Sequence, residues 1–417
     1  MADVTMRFQA RPTRLTGLTP VEVAGGLRHL PGLVFFDSSG HPTASADPPI
    51  SVIAARPVRT FCGSIHSDAD RKILRDAMAA HPISPGCDGF PSGGLCGWVD
   101  YEGEFVFGEY HEMLCFHHAD QSWWELGTLS ECLKPVTDEA ATIGPFSAVS
   151  SHQEFLDGVL RIKEWIAAGD IYQVNLSQSF EAPVTGGSLF GLYESLRTAS
   201  PAPMAAWLSL GEREVLCSSP ESFLKISGKH IETRPIKGTR PRFTDPSEDR
   251  RSAYELQTSA KEIAELVMIT DLLRNDLGQV CEFGSVEVAE MLRLESLAQV
   301  HHLVSTVTGT LRPETDALDA MADCFPGGSI TGAPKMRAME IIRELEKQPR
   351  GIYCGAIGWL GFDGDCSFNI AIRTIVRNQG KIVYQVGAGI VADSDPQQEY
   401  EETLHKAAGI RLAVERL

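Results

Sequence analysis

Glu262 and Glu265 lie three residues apart in a stretch free of Gly and Pro, and Glu399 and Glu402 repeat the spacing near the end of the sequence. Residues three apart on a helix share a face, so each pair presents two carboxylates to one point. Two such helices facing each other would make an oxygen-only site suited to Mg²⁺, a hard cation that keeps some of its waters and often takes a substrate oxygen. Taken alone, either pair is more often a solvated helix surface, because Glu is a common helix residue. The sequence does not show that the two helices meet.

Other residues invite the same weighing. ETRPIKGTRPR, residues 232–242, gathers Arg234, Lys237, Arg240 and Arg242 around a turn. It reads either as a charge-balancing surface loop or as a setting in which Lys237 is an amine nucleophile or base. Glu221, in Ser219-Pro220-Glu221 at a strand start, is a surface carboxylate or a positioned general acid. FPGGSITGAPK combines Gly327, Gly328 and Gly332 with the hydroxyls of Ser329 and Thr331 before a helix that begins near Pro334. Its backbone N–H groups would suit an anion, or it is a turn without a ligand. VGAGIVA resembles a dinucleotide-binding fingerprint only in letters, since no helix opens on it and no acidic residue follows at the required distance. Gly387 and Gly389 would instead let a carboxylate approach the main chain. Arg373, in the apolar run NIAIRTIV, needs a partner, which is an internal carboxylate or that of a substrate. Tyr353 is expected on the preceding strand facing the same place. His302 is a packed core histidine or a proton-transfer group.

The elements that must position these groups are legible in outline. Ser151 and Glu154 form a capping box, and Phe155, Val159, Ile162 and Trp165 recur at helical spacing until Gly169. IYQVNLSQSF, MAAWLSL, EVLCSS, SFLKIS and HIETRPI read as strands of a largely antiparallel sheet, since helices do not alternate with them. Ser252–Leu277 reads as one long helix. GIYCGAIGWLGF, SFNIAIRTIV and KIVYQVGAGIVA read as a further meander, and Asp395, Pro396 and Gln398 start a last helix running to about Arg416. The fold class is α+β, large sheets supporting a few long helices. Residues 1–145, rich in Pro-Gly segments such as HPISPGCDGFPSGG, form an N-terminal region contributing strands, and 146–417 the catalytic region.

With 37 basic and 55 acidic side chains among 417 residues, the net charge is −18. That field disfavours nucleic acid and anionic membrane, so an anionic substrate must meet a local basic site. No apolar run is long enough to span a membrane, and the opening segment lacks a secretory signal's apolar stretch, so a cytoplasmic protein is expected. The ten cysteines form no C-x-x-C pair and read as reduced, packed thiols.

Eight ordered motifs then carry a resemblance: GDIYQVNLSQ, SSPESFL, PIKGT, AKEIAELVMITDLLRNDLG, FPGGSITGAPK, RGIYCG, IAIRT and GAGIVADSDPQQEYEETLHK. Over about residues 150–410 they resemble the chorismate-utilising enzymes, which include anthranilate, isochorismate, salicylate and aminodeoxychorismate synthases. RHLPGLVFFDSS and GGLCGWVDYEG extend the likeness weakly into the N-terminal third. The resemblance implies packed antiparallel sheets with long helices. It implies that Glu265 and Glu399 bind Mg²⁺ directly, with Glu262 and Glu402 acting directly or through water. It implies that Tyr353 and Arg373 hold the enolpyruvyl carboxylate of chorismate, and that Gly387, Gly389 and Lys406 hold the ring carboxylate with the metal. Ser329 and His302 match positions near the reacting ring.

Two positions discriminate within the family. Gln173 stands where the water-activating members have a lysine base, which argues against water as nucleophile. Lys237 stands where anthranilate synthases generally have alanine, and resembles the aminodeoxychorismate synthases. The resemblance therefore implies amination at ring carbon C4, with a Lys237 adduct, Glu221 as acid, and ammonia from a separate glutamine amidotransferase subunit, on the way to 4-aminobenzoate and folate. Anthranilate synthase component I is the nearer alternative, and a catalytically silent partner-binding subunit the remoter one. FFDSSG departs from the leucine- and glutamate-containing motif that surrounds a tryptophan pocket in family members, leaving at most a vestigial regulatory pocket.

Overall fold

Short apolar runs bounded by Gly, Pro and charge pair into two large antiparallel sheets, as their β-branched and aromatic content favours. The computed structural model describes residues 10–13, 15–39, 49–81, 91–136, 141–297 and 299–417. One sheet has 13 strands and the other 10. Both draw on the N-terminal region, since Val34–Asp37 pairs with Met204–Leu210 in the larger sheet and Gly94–Val99 with Ala356–Gly361 in the smaller. Val34, Val52, Leu208 and Val215 of the larger sheet share one buried cluster with Cys96, Trp98 and Ile357 of the smaller, so the two pack face to face. The fold is α+β. Most of HPISPGCDGFPSGG, and the first nine residues, lie outside the described residues.

The helix after the Ser151–Glu154 capping box spans His152–Ala168, and Gly169 closes it in the left-handed region at φ 83°. The last helix spans Pro396–Glu415, with the Asp395 carboxylate accepting from the Gln398 N–H. Between them the expected helix at Ser252–Leu277 is two helices, Pro246–Gln257 and Ala260–Gly278. The break has a local cause: Thr258 turns its hydroxyl back to the Tyr254 carbonyl, and Ser259 caps the second helix by accepting from the Glu262 N–H. The interruption places Glu262 in a first turn, close to the exposed N–H groups of a helix start.

A second correction concerns SFNIAIRTIV, which is not one strand. Cys366–Ile370 belongs to the smaller sheet and Thr374–Asn378 to the larger, so the chain changes sheets at Ala371–Arg373. Arg373 is the corner, at φ 51°. A matching crossing lies at Pro220–Glu221, between Arg213–Ser219 of the larger sheet and Ser222–Ser227 of the smaller. The corners are bonded together: the Ile370 N–H donates to the Glu221 carbonyl and the Ser218 N–H to the Arg373 carbonyl. Tyr353 lies in the turn before Ala356–Gly361 rather than on a strand, because Gly351 and Cys354 both adopt positive φ there.

Nine described cysteines are free thiols, all but Cys62 and Cys132 buried. Among the described residues, no helix is long and apolar enough to cross a membrane.

Candidate active site

The strand Ile236–Pro241 carries Lys237 and pairs with Val300–Thr310, setting Lys237 opposite Leu303 and Thr239 opposite His302. The register shifts between Lys237 and Thr239, where Gly238 sits at φ 71°. A Cβ at Gly238 would stand 3.1 Å from Glu262 Oε2, so glycine lets strand and helix close up. Lys237 Nζ then lies 3.8 Å from Glu265 Oε2. On its other side it faces the strand Lys381–Ile390: a Cβ on Gly389 would stand 3.6 Å from Lys237 Nζ and 2.3 Å from Gln173 Nε2.

Each of the four glutamates meets a cation. Besides the Lys237 contact, Lys261 reaches Glu399 at 3.4 Å, Arg240 reaches Glu262 at 3.6 Å and Lys406 reaches Glu402 at 2.8 Å. Burial pushes the Glu265 carboxyl up, against Lys237 and Lys261, while Glu262 and Glu402 push the same way as burial. For Glu402 burial opposes ionisation, yet Lys406, Lys261 and Lys237 hold it below the usual carboxylate range. Glu399 receives the Ser394 hydroxyl on Oε1 at 2.7 Å, while its Oε2 is buried without a hydrogen-bond partner. The two helices therefore do bring their carboxylates to one region. Among the described residues no three of these four offer oxygens all within 4.8 Å of one another. The donor set is all oxygen, its carboxylates repel one another, and one buried oxygen is unpartnered, so the residues fit a hard divalent cation.

Glu221 and Arg373 enter from the paired corners. Burial raises the Glu221 carboxyl, opposed by a hydrogen bond from Ser329, by Lys237, by the Ile236 N–H and by Lys406. Ser329 sits in the single turn Gly328–Ile330. The backbone beyond it is committed to the fold, because the Thr331 and Ala333 carbonyls accept from Asn175 and Tyr172. Burial lowers the hold of Arg373 on its proton, against the fields of Cys217 and Glu221. A guanidinium stays charged in proteins, and among the described residues no side chain pairs with this one. His302 Nδ1 lies 3.1 Å from the Gly238 carbonyl, which fixes it as the donor and leaves Nε2 a buried acceptor without a partner. Burial first, then the field of Arg373, push the His302 ring down to about 4, so it is neutral at pH 7.

The glycine strip meets a lysine and a tyrosine. Lys406 Nζ donates to the Gly387 carbonyl at 2.9 Å, and the Tyr353 hydroxyl lies 2.9 Å from where a Cβ on Gly387 would stand. Lys237 and Lys406 thus lie against the main chain of Gly387 and Gly389 beside the Tyr353 hydroxyl, and cations with open main chain suit an anionic ligand.

A family model described as chorismate binding enzyme matches residues 102–411. The chain belongs to this family. Within it, the chain is 42% identical over 322 residues to aminodeoxychorismate synthase component 1 of Salmonella typhimurium, covering 75% of this chain and 68% of that protein. It is 48% identical over 272 residues to anthranilate synthase component 1 of Streptomyces coelicolor, covering 65% of this chain and 53% of that one. The chain thus spans about half to two thirds of the length of these chorismate-binding relatives. Anthranilate synthase component I from Streptococcus pneumoniae superposes with a TM-score of 0.78 at 29% identity, covering 89% of this chain and 94% of that one.

Arg350 and Lys261 were not singled out from the sequence. Arg350 opens the RGIYCG motif, but nothing in its spacing shows what it touches. Its guanidinium donates to the carbonyls of Ile330 at 2.8 Å and Asn175 at 2.6 Å, and pairs with Glu346 at 2.7 Å. It lies 4.6 Å from the Tyr101 ring centroid and 5.9 Å from that of Tyr353. One side chain so ties the Ser329 turn, the Gln173 strand and Tyr353. Both members of the Arg350–Glu346 pair are buried, at 1% and 7% side-chain exposure. Arg350→Met should therefore destabilise the protein by about 3–5 kcal/mol, through the stranded glutamate. Urea unfolding measures this, and an unchanged midpoint would show that the pair holds nothing.

Proposed function

We propose that this chain is the chorismate-aminating component of an aminodeoxychorismate synthase, forming 4-amino-4-deoxychorismate. The observation that carries the reading is Lys237: an amine in the PIKGT motif, 3.8 Å from Glu265 and directed across the Gly389 main chain. Identity does not choose, since relatives of both kinds match at 42% and 48%. In this reading Tyr353 and Arg373 hold the enolpyruvyl carboxylate, and Gly387, Gly389 and Lys406 the ring carboxylate. Glu262, Glu265, Glu399 and Glu402 would hold Mg²⁺, which would supply positive charge for the ring carboxylate.

The Lys237 amine attacks ring carbon C2, the double bonds shift, and the C4–O bond breaks. Glu221, whose pKa burial raises, gives its proton to the departing oxygen, so water leaves. Ammonia then adds at C4, the double bonds return, and the C2–N bond to Lys237 breaks. The Glu221 carboxylate left by the first half is available to take the proton that the added ammonia loses. Two displacements replace one hard substitution, and the enolpyruvyl ether survives. Ser329 orients Glu221, and neutral His302 offers Nε2 as an acceptor. Ammonia comes from a glutamine amidotransferase partner or from ammonium salts.

Incubation with chorismate, Mg²⁺ and ammonium, followed by chromatography and mass analysis, tests the assignment. The expected product retains the enolpyruvyl group. Fluorescent anthranilate with released pyruvate would assign the chain to the other branch.

A further inference from the structure

We propose that His81, Glu109 and His111 form a second metal site, for a divalent transition ion of the zinc class, separate from the four-glutamate cluster. His81 Nε2 lies 2.9 Å and His111 Nε2 2.8 Å from the same oxygen, Glu109 Oε1. One ligand atom from each residue falls within 4.8 Å of the others. Two imidazole nitrogens and one carboxylate oxygen make a borderline donor set that favours Zn²⁺, Co²⁺ or Ni²⁺ over Mg²⁺ or Ca²⁺. Donors around tetrahedral Zn²⁺ sit about 3.3 Å apart, given bonds near 2.0 Å, so each histidine nitrogen needs to move away from Glu109 Oε1 by only a few tenths of an ångström.

The surroundings are those of an oriented ligand set. The Glu109 side chain is 2% exposed, and its second oxygen is held by Arg59 Nε at 2.5 Å. An outer-shell donor of this kind fixes the carboxylate and leaves Oε1 to face the metal. Burial works against ionisation of Glu109, but Arg59, His111 and His81 hold it below the usual carboxylate range. The His81 ring stacks on Phe362 at 4.1 Å between centroids and meets the His111 ring edge-on at 4.4 Å. The His111 side chain is 28% exposed, which leaves a path for the ion and for a water as fourth ligand. Binding would move each ring's proton to Nδ1.

The placement suggests what the ion would do. His81 lies just beyond the helix Asp68–Ala79, Glu109 lies on Glu104–Tyr110, next to the edge strand Arg59–Ser64, and Phe362 follows Ala356–Gly361. An ion there would clip the residue beyond the helix end to the strand Glu104–Tyr110 and the residue after it, a structural role rather than a catalytic one.

The full chain, stripped with a chelator and then held in excess Mg²⁺ to fill the glutamate cluster, would be titrated with Co²⁺ and read by visible absorption. The expected result is one Co²⁺ per chain with the intense spectrum of a four- or five-coordinate site, displaced by Zn²⁺. His81→Asn and His111→Asn should each weaken binding more than about 100-fold and leave chorismate turnover in Mg²⁺ intact. Proton NMR of the wild-type Co²⁺ protein gives a readout independent of how the variants fold: two shifted imidazole N–H resonances are expected. No binding, the weak spectrum of an octahedral oxygen site, or the absence of those resonances would overturn the proposal.

Discussion

Lys237→Ala is expected to abolish amination of chorismate, lowering kcat by at least about a thousandfold while the KM for chorismate moves only a few-fold. The asymmetry follows from the geometry. Substrate carboxylates would be held by Arg373, Tyr353, Lys406 and the glycine strip, none of which depends on Lys237, whereas bond formation at C2 needs its amine. Alanine also removes the cation beside Glu265 without touching the carboxylates. Intact-mass measurement of wild-type protein mixed with chorismate but no ammonia should show an adduct of chorismate less one water, mapping to Lys237. The same mixture with the alanine variant should show none. Turnover by Lys237→Ala within tenfold of wild type would mean that ammonia displaces the hydroxyl directly and that the lysine serves only as a charge.

What the sequence made legible was local. The Ser151–Glu154 capping box, the Asp395 cap and the strand runs from Gln173 to Arg234 are written in adjacent residues, and they appear where expected. What it hid was non-local. NIAIRTIV is apolar along its length whether it stays in one sheet or passes between two, so hydrophobic pattern could not show that Arg373 is a corner. Nor could it show that the Glu221 corner lies against it, because that depends on bonds between residues about 150 apart. The break at Thr258–Ser259 was readable in principle, since Ser259 stands three before Glu262 as a cap should. The absence of Gly and Pro outweighed it.

The site residues divide the same way. Spacing and local composition, and then the motif resemblance, drew attention to the four glutamates, to Lys237 and to the glycines, and the fold gathers them. It did not reveal that each carboxylate meets a cation, with Lys261 and Arg240 supplying two of the four. That interleaving bears on how a chain of net charge −18 can admit a dianion: four carboxylates facing four cations leave Arg373 as surplus positive charge before any metal is counted.

Glu221→Gln is expected to lower kcat by about 10²–10⁴-fold, because an amide of the same shape keeps the contact with Ser329 but cannot give up a proton. The pH profile separates this from a positioning effect. Burial raises the Glu221 pKa, so its acid form persists above the usual carboxylate range, and the rate it supports is present at lower pH and lost as pH rises through that raised value. The glutamine variant should lack that falling limb. Stability should not fall with the rate in this variant. A carboxyl whose folded pKa is raised contributes stability that is fully present below its unfolded pKa and disappears as pH rises through the folded one. The amide carries no such dependence, so at neutral pH the variant should be at least as stable as wild type in urea unfolding. A stable variant that keeps the wild-type rate and profile would remove Glu221 from the chemistry and hand the leaving hydroxyl's proton to another donor.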